Sequence, residues 1–206
     1  MILGHEAVGV VEDGNGSGLE AGKVVVPTVR RKPNGETNEY FRRGEPDMAP
    51  NGEYVERGIV GEHGFMAEYF TSPADNLVPI PDHLADQWML VEPISIAEKA
   101  NDHAFSTREP FEWRPESACV LGNGTLGLLT LWMLGREFDR TYCVGRRSRP
   151  DPTIDVIDEL GATYVDSRET SVEEIPDVHE AVDYVFEATG YAPHAVLRLS
   201  LIPLSY

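Results

Sequence analysis

Cysteine is nearly missing from this chain: 206 residues hold two, Cys119 and Cys143. Both sit in apolar runs and read as small core residues, so a disulfide framework and a cysteine-built zinc site are excluded. Lysine is almost as scarce, with three at positions 23, 32 and 99 among seventeen basic residues. Thirty-five acids leave a net charge of −18. Such a field repels phosphodiesters and anionic lipid, so neither nucleic acid nor membrane is an expected partner. An acidic, lysine-poor surface points to a cytosol of very high salt, where screening removes much of the self-repulsion; an acidic protein of ordinary cytosol is the competing reading. No apolar run approaches the roughly 20 residues that span a bilayer, and no basic-then-apolar leader opens the chain, so a cytoplasmic location is expected.

What the chain does have is a glycine-punctuated nucleotide motif. Residues 116–120 lead as an apolar strand into Gly122-Asn123-Gly124-Thr125-Leu126-Gly127, and residues 126–134 leave it as an apolar helix. In this arrangement Gly122 permits a tight turn, Gly124 admits a pyrophosphate, and Gly127 lets helix approach strand. The backbone N–H groups at the helix start, with the positive end of its dipole, then receive the phosphates. The next strand, 141–144, ends at Gly145-Arg146-Arg147. An NAD-selective site carries an acid near here for the ribose 2′-hydroxyl; two guanidiniums instead match a 2′-phosphate, which predicts NADP in preference to NAD. The alternative is a solvated basic loop formed by Arg146, Arg147 and Arg149.

The pattern changes along the chain. Residues 7–11, 23–29 and 65–71 read as strands, 13–18 as a turn cluster, and 33–50 as an aperiodic surface lobe. A helix over 93–105 leads into alternating elements: a helix at 153–160, a strand at 162–165, and a strand at 183–187 ending at Thr189-Gly190. This alternation predicts a parallel sheet with crossover helices. Both ends read as cut, with no sheet ahead of the opening motif and too few strands at the tail, so a fragment of a longer enzyme is expected.

Gly4-His5-Glu6 sets an imidazole beside a carboxylate at the mouth of a strand, and Glu92 precedes Pro93 in an apolar stretch where an uncompensated charge is costly. Imidazole nitrogen and carboxylate oxygen are acceptable zinc ligands, although two residues cannot close a tetrahedron. Singly, each has a structural reading: His5 as a hydrogen-bonded strand-end ring, Glu92 as a helix-start charge. His63, His83, His103, His179 and His194 sit among polar residues and read as solvated.

Gly4-His5-Glu6-Ala-Val-Gly-Val-Val, Gly64-Phe-Met-Ala-Glu-Tyr69, Glu92-Pro93 and the nucleotide fingerprint, in this order, resemble the zinc-dependent medium-chain dehydrogenases. Val-Pro-Thr-Val-Arg30-Arg31, Asn38-Glu-Tyr-Phe, Pro46-Asp-Met and Glu56-Arg57-Gly58-Ile narrow the resemblance to the glucose dehydrogenases of halophilic archaea, over about residues 2–196. It implies an α/β fold: a GroES-like β domain, N-terminally incomplete, at 1–98, and a Rossmann domain, C-terminally incomplete, at 99–206, with the active site in the cleft between them. It makes His5 a catalytic zinc ligand with Glu6 and Glu92 as carboxylates at the metal, direct or through water. Glu56, with Glu92, binds sugar. Gly122, Asn123, Gly124, Thr125, Leu126 and Gly127 take the pyrophosphate, Gly145, Arg146 and Arg147 the 2′-phosphate, and Thr189-Gly190 lie near the nicotinamide ribose. The family's other first ligand, a Cys or Asp upstream of His5, has no counterpart, and the lobe at 33–50 lacks the cysteines of a structural zinc. The implied reaction is oxidation of an aldose, D-glucose, at C1 to the lactone with hydride transfer to NADP, NAD being tolerated, by a homo-oligomer. The alternatives are a polyol or alcohol dehydrogenase of the same fold, against which Glu56 weighs, and a truncated, non-catalytic dinucleotide-binding remnant.

Overall fold

Short β-rich segments and a long βαβ alternation fold as separate units in the computed structural model, which describes residues 1–170, 174 and 182–190. The units are Met1–Glu92 and Pro93–Tyr206. The position between 98 and 99 falls inside a helix, Val91–Arg108. Among the described residues no helix is long and apolar enough to cross a membrane.

In the first unit, the valine run at β2 (Val24–Pro27) is buried and flanked antiparallel by β1 (Gly9–Val10) and β6 (Leu77–Pro79). A second small sheet joins β3 (Arg30–Arg31), β4 (Val55–Arg57) and β5 (Gly61–Glu62); its register sets Arg30 opposite Glu56. One expectation fails here. Residues 65–71 form no strand: Phe65 and Met66 donate their N–H groups to Gly4 O and Leu3 O, each at 2.9 Å, and Ala67 N then closes on Phe65 O at 2.7 Å. That two-residue closure turns the chain before a ladder can propagate, and β6 supplies the third strand instead. The surface lobe at 33–50 holds some regular structure. It contains the helix α1 (Glu39–Arg43), capped by Asn38 Oδ1, which accepts from Phe41 N, and ended by Gly44 in the left-handed region at φ 77°. A helix of five residues is too short to show apolar periodicity, so only its caps announce it.

In the second unit, β7 (Ser117–Leu121), β8 (Arg140–Gly145), β9 (Thr163–Asp166) and β10 (Tyr184–Glu187) form one parallel sheet in the order β10-β7-β8-β9. The two-residue period sorts the core onto two faces. Ala118, Val120, Cys143 and Phe186 meet Leu131 and Leu134 of α3 (Thr125–Leu134) and Ile157 of α4 (Pro152–Glu159). Cys119, Leu121, Tyr142, Val144 and Val165 make the other face. Each fully buried leucine or isoleucine contributes about 1.5–3 kcal/mol of apolar transfer. The expected helix at 93–105 is present and longer, as α2 (Val91–Arg108), with Pro93 in its first turn where no N–H is missed. Tyr184 fastens β10 to α2 by donating to Asn101 Oδ1 at 2.7 Å.

Candidate functional site

The first cluster of interest lies in the first unit, and glycines position it. An added Cβ would come within 2.3 Å of Gly4 O at Gly64 and within 2.6 Å at Gly58, where φ is also +78°. Only glycine lets these two loops close on the backbone immediately before His5. His5 Nδ1 then lies 3.1 Å from Arg57 O. A carbonyl only accepts, so Nδ1 carries the hydrogen, and in the neutral ring Nε2 keeps its lone pair. That lone-pair nitrogen faces Glu56 Oε1 at 3.6 Å and Glu92 Oε1 at 3.7 Å.

Glu56 is held from its other oxygen by Arg30 Nη2 at 3.0 Å. Arg30 is itself fixed by donation to Asp47 O at 2.9 Å and by lying 4.0 Å over the Tyr54 ring. Arg57, whose carbonyl orients His5, is anchored by Glu62 Oε1 at 2.9 Å and stacks 4.7 Å from the Phe65 ring centre. Burial, and after it the negative charge of Glu6, raise the Glu92 carboxyl above the usual carboxylate range; the His5 ring opposes this and Glu56 adds to it. Glu6 is exposed and acts on the cluster at a distance, as a charge.

An imidazole lone pair facing two carboxylates is a place for a cation. Two donors about 2.1 Å from a tetrahedral zinc stand roughly 3.4 Å apart, so the separations around His5 Nε2 fit such an ion with little movement. The set is partial, however: among the described residues no group of three His, Cys, Asp or Glu is arranged to hold a metal by itself. The sequence groups His5, Glu6 and Glu92 at the metal and assigns Glu56, with Glu92, to substrate; the structure sets Glu56 as near to Nε2 as Glu92 and leaves Glu6 exposed. Arg30 and Arg57 carry no signal of these roles in the sequence, because the Arg30–Glu56 pairing follows from a strand register that only the structure shows.

The second cluster lies at the carboxyl ends of β7, β8 and β10. Gly122 has φ +108°, and a Cβ there would meet Ala188 C and O at 3.0 Å. At Gly127 a Cβ would lie 1.9 Å from Gly122 O, whereas at Gly124 it would meet nothing within 4 Å. The tight turn, the close helix approach and the open side are thus each on the expected glycine. Gly124 leaves the start of α3 without a side-chain cap, and Thr125, Leu126 and Gly127 form that first turn. The Asn123 side chain is buried and donates to Thr153 Oγ1 at 2.7 Å, tying the loop to α4. Thr189 and Gly190 follow β10, with Thr189 N donating to Glu187 Oε1 at 2.7 Å.

Arg146, Arg147 and Arg149 are all exposed past the end of β8, but they are not equivalent. Arg149 is matched by Asp158, with Nη2 to Oδ1 at 2.8 Å. Arg147 shares a bond with Asp151 Oδ2 at 3.1 Å. Arg146 makes no ion pair among the described residues. Of the histidines read as solvated, His63, His83 and His103 are all exposed, and His63 Nδ1 also accepts from Ile2 N at 2.9 Å. His179 and His194 lie outside the described residues.

Fold and loop together define the two-part architecture of the medium-chain dehydrogenases, a GroES-like unit followed by a Rossmann unit. Residues 85–203 match the family model described as glucose dehydrogenase C-terminus, and residues 1–82 match the alcohol dehydrogenase GroES-like domain. The chain belongs to this glucose dehydrogenase family. It is 78% identical, over 195 residues, to glucose 1-dehydrogenase of Haloarcula marismortui, covering 95% of this chain and 55% of that enzyme. The solved structure of Haloferax mediterranei glucose dehydrogenase in complex with NADP, Zn and gluconolactone is 58% identical with a TM-score of 0.90, over 97% of this chain and 57% of that one. L-idonate 5-dehydrogenase from Escherichia coli, at 20% identity and a TM-score of 0.77, over 96% of this chain and 55% of that one, shares the fold. The chain spans about half the length of the curated relatives it matches.

Proposed function

We propose that this chain carries the catalytic-domain and coenzyme-domain residues, 1–98 and 99–206, of a zinc-dependent glucose 1-dehydrogenase that oxidises D-glucose at C1 to the lactone and reduces NADP. The observation that carries this reading is His5 Nε2, its lone pair exposed by the Arg57 carbonyl, facing Glu56 and Glu92. His5 and Glu92 supply donors to the metal, and Glu6 enters through its charge or through water. A bound zinc supplies Lewis acidity that lowers the pKa of the sugar hydroxyl. Glu56 Oε1 accepts a hydrogen bond from the sugar while Oε2 stays with Arg30, which aims the carboxylate. Gly122 to Gly127 receive the pyrophosphate at the start of α3, Gly145, Arg146 and Arg147 the 2′-phosphate, and Thr189-Gly190 border the nicotinamide ribose. The Haloarcula and Haloferax relatives come from halophilic archaea, which accords with a −18 charge working in a salt-rich cytoplasm. The complete protein works as a homo-oligomer with a sugar as its partner.

Replacing Arg146 and Arg147 together by alanine tests the coenzyme assignment through equilibrium binding. NADPH should weaken at least about tenfold, equivalent to about 1.4 kcal/mol, with NADH unchanged. Equal weakening of both would refute the clamp.

A further inference from the structure

We propose that Tyr164 is a positioning residue for coenzyme choice: its hydroxyl fixes the backbone at Arg147 and so aims the Arg146-Arg147 pair at the 2′-phosphate. This rests on the reading of that pair as the 2′-phosphate clamp. In the parallel register of β8 and β9, Tyr164 lies opposite Cys143, two residues short of the end of β8. From there its hydroxyl accepts from Arg147 N at 2.9 Å and donates to Arg147 O at 2.9 Å. One hydroxyl carries one proton and two lone pairs, so both bonds are satisfied at once. Both peptide groups of a single loop residue are thereby held by one rigid ring.

The same hydroxyl closes the strand end. A Cβ at Gly145 would come within 2.7 Å of Tyr164 Oη and within 2.7 Å of Asn123 Oδ1. Neither group yields cheaply, because Asn123 is buried and bonded to Thr153, and Tyr164 would lose both bonds to Arg147. The strand-end position where an NAD-selective site carries its acid therefore has no room for a side chain. Further ties hold the loop in the same place. Ser167 N and Oγ donate to Gly145 O at 2.8 and 3.0 Å, and Arg168, paired with Asp166, reaches Ser148 Oγ. Burial raises the Tyr164 hydroxyl above the ordinary phenol range, which extends its range as a donor into alkaline buffer.

Tyr164→Phe keeps the ring, which packs against the core of the second unit, and removes only the oxygen. In the complete protein, fluorescence titration should show NADPH affinity falling about five- to tenfold with NADH affinity unchanged. Combined with Arg147→Ala, the loss should be smaller than the product of the two single losses, since both changes disable the same guanidinium. Equal weakening of both coenzymes would reduce Tyr164 to a structural role, and unchanged NADPH affinity would remove it from coenzyme choice; either result overturns the proposal. If the double arginine variant separates the coenzymes and Tyr164→Phe does not, only this inference fails. If the double variant does not separate them, the clamp reading itself fails.

Discussion

Burial pushes the Cys119 and Cys143 thiols up to about 12, with the neighbouring Cys143 adding to the shift at Cys119. An unfolded thiol ionises near 9, so between about 9 and 12 the unfolded chain releases protons that the folded chain retains. Stability therefore falls as pH rises through that window, and below it the two thiols contribute no pH dependence. At pH 8 a thiol-specific disulfide reagent should label neither cysteine until denaturant is added; rapid native labelling would show that the strands at 117–121 and 140–145 are not buried. These residues were legible from sequence because an apolar environment alone decides their behaviour. The Arg30–Glu56 and His5–Arg57 contacts were not, because they depend on register and on loop approach. The one trace of them in the sequence is Gly58 and Gly64, whose need for glycine shows only in their closeness to Gly4.

Among elements, the βαβ segment from β7 through β8 was readable almost to the residue, since glycine spacing, apolar strands and an apolar helix all agree. The β-rich half was not. Residues 65–71 have strand-like composition, yet the backbone N–H groups of Phe65 and Met66 go to Gly4 and Leu3 and the chain then enters a tight turn, and composition carries no information about such partners. A similar dependence on distant partners holds at the opposite edge of the parallel sheet. Asp183 Oδ2 accepts from Glu116 N at 2.9 Å, Ser117 N at 3.0 Å and Ser117 Oγ at 2.9 Å, joining the start of β7 to that of β10. Asp183→Ala leaves these donors without that acceptor and should cost about 1–3 kcal/mol, read as a lower thermal midpoint. An unchanged midpoint would mean that water replaces the carboxylate fully.

At the scale of the whole chain, charge and chemistry set the same working conditions. A net charge of −18 on 206 residues favours a medium whose ions screen self-repulsion within a few ångströms, so the proposed activity is to be assayed in molar salt. Two units each hold one of the candidate clusters, the imidazole with its carboxylates in one and the glycine loop with its arginines in the other. The most direct measurement is therefore glucose-dependent NADPH formation by the complete protein in molar potassium chloride, with zinc content determined on the same samples, for the wild type and for His5→Ala. The account predicts lactone and NADPH in equal amounts from the zinc-bearing wild type, and loss of both bound zinc and turnover in His5→Ala. Undiminished turnover, or undiminished zinc, in His5→Ala would contradict it.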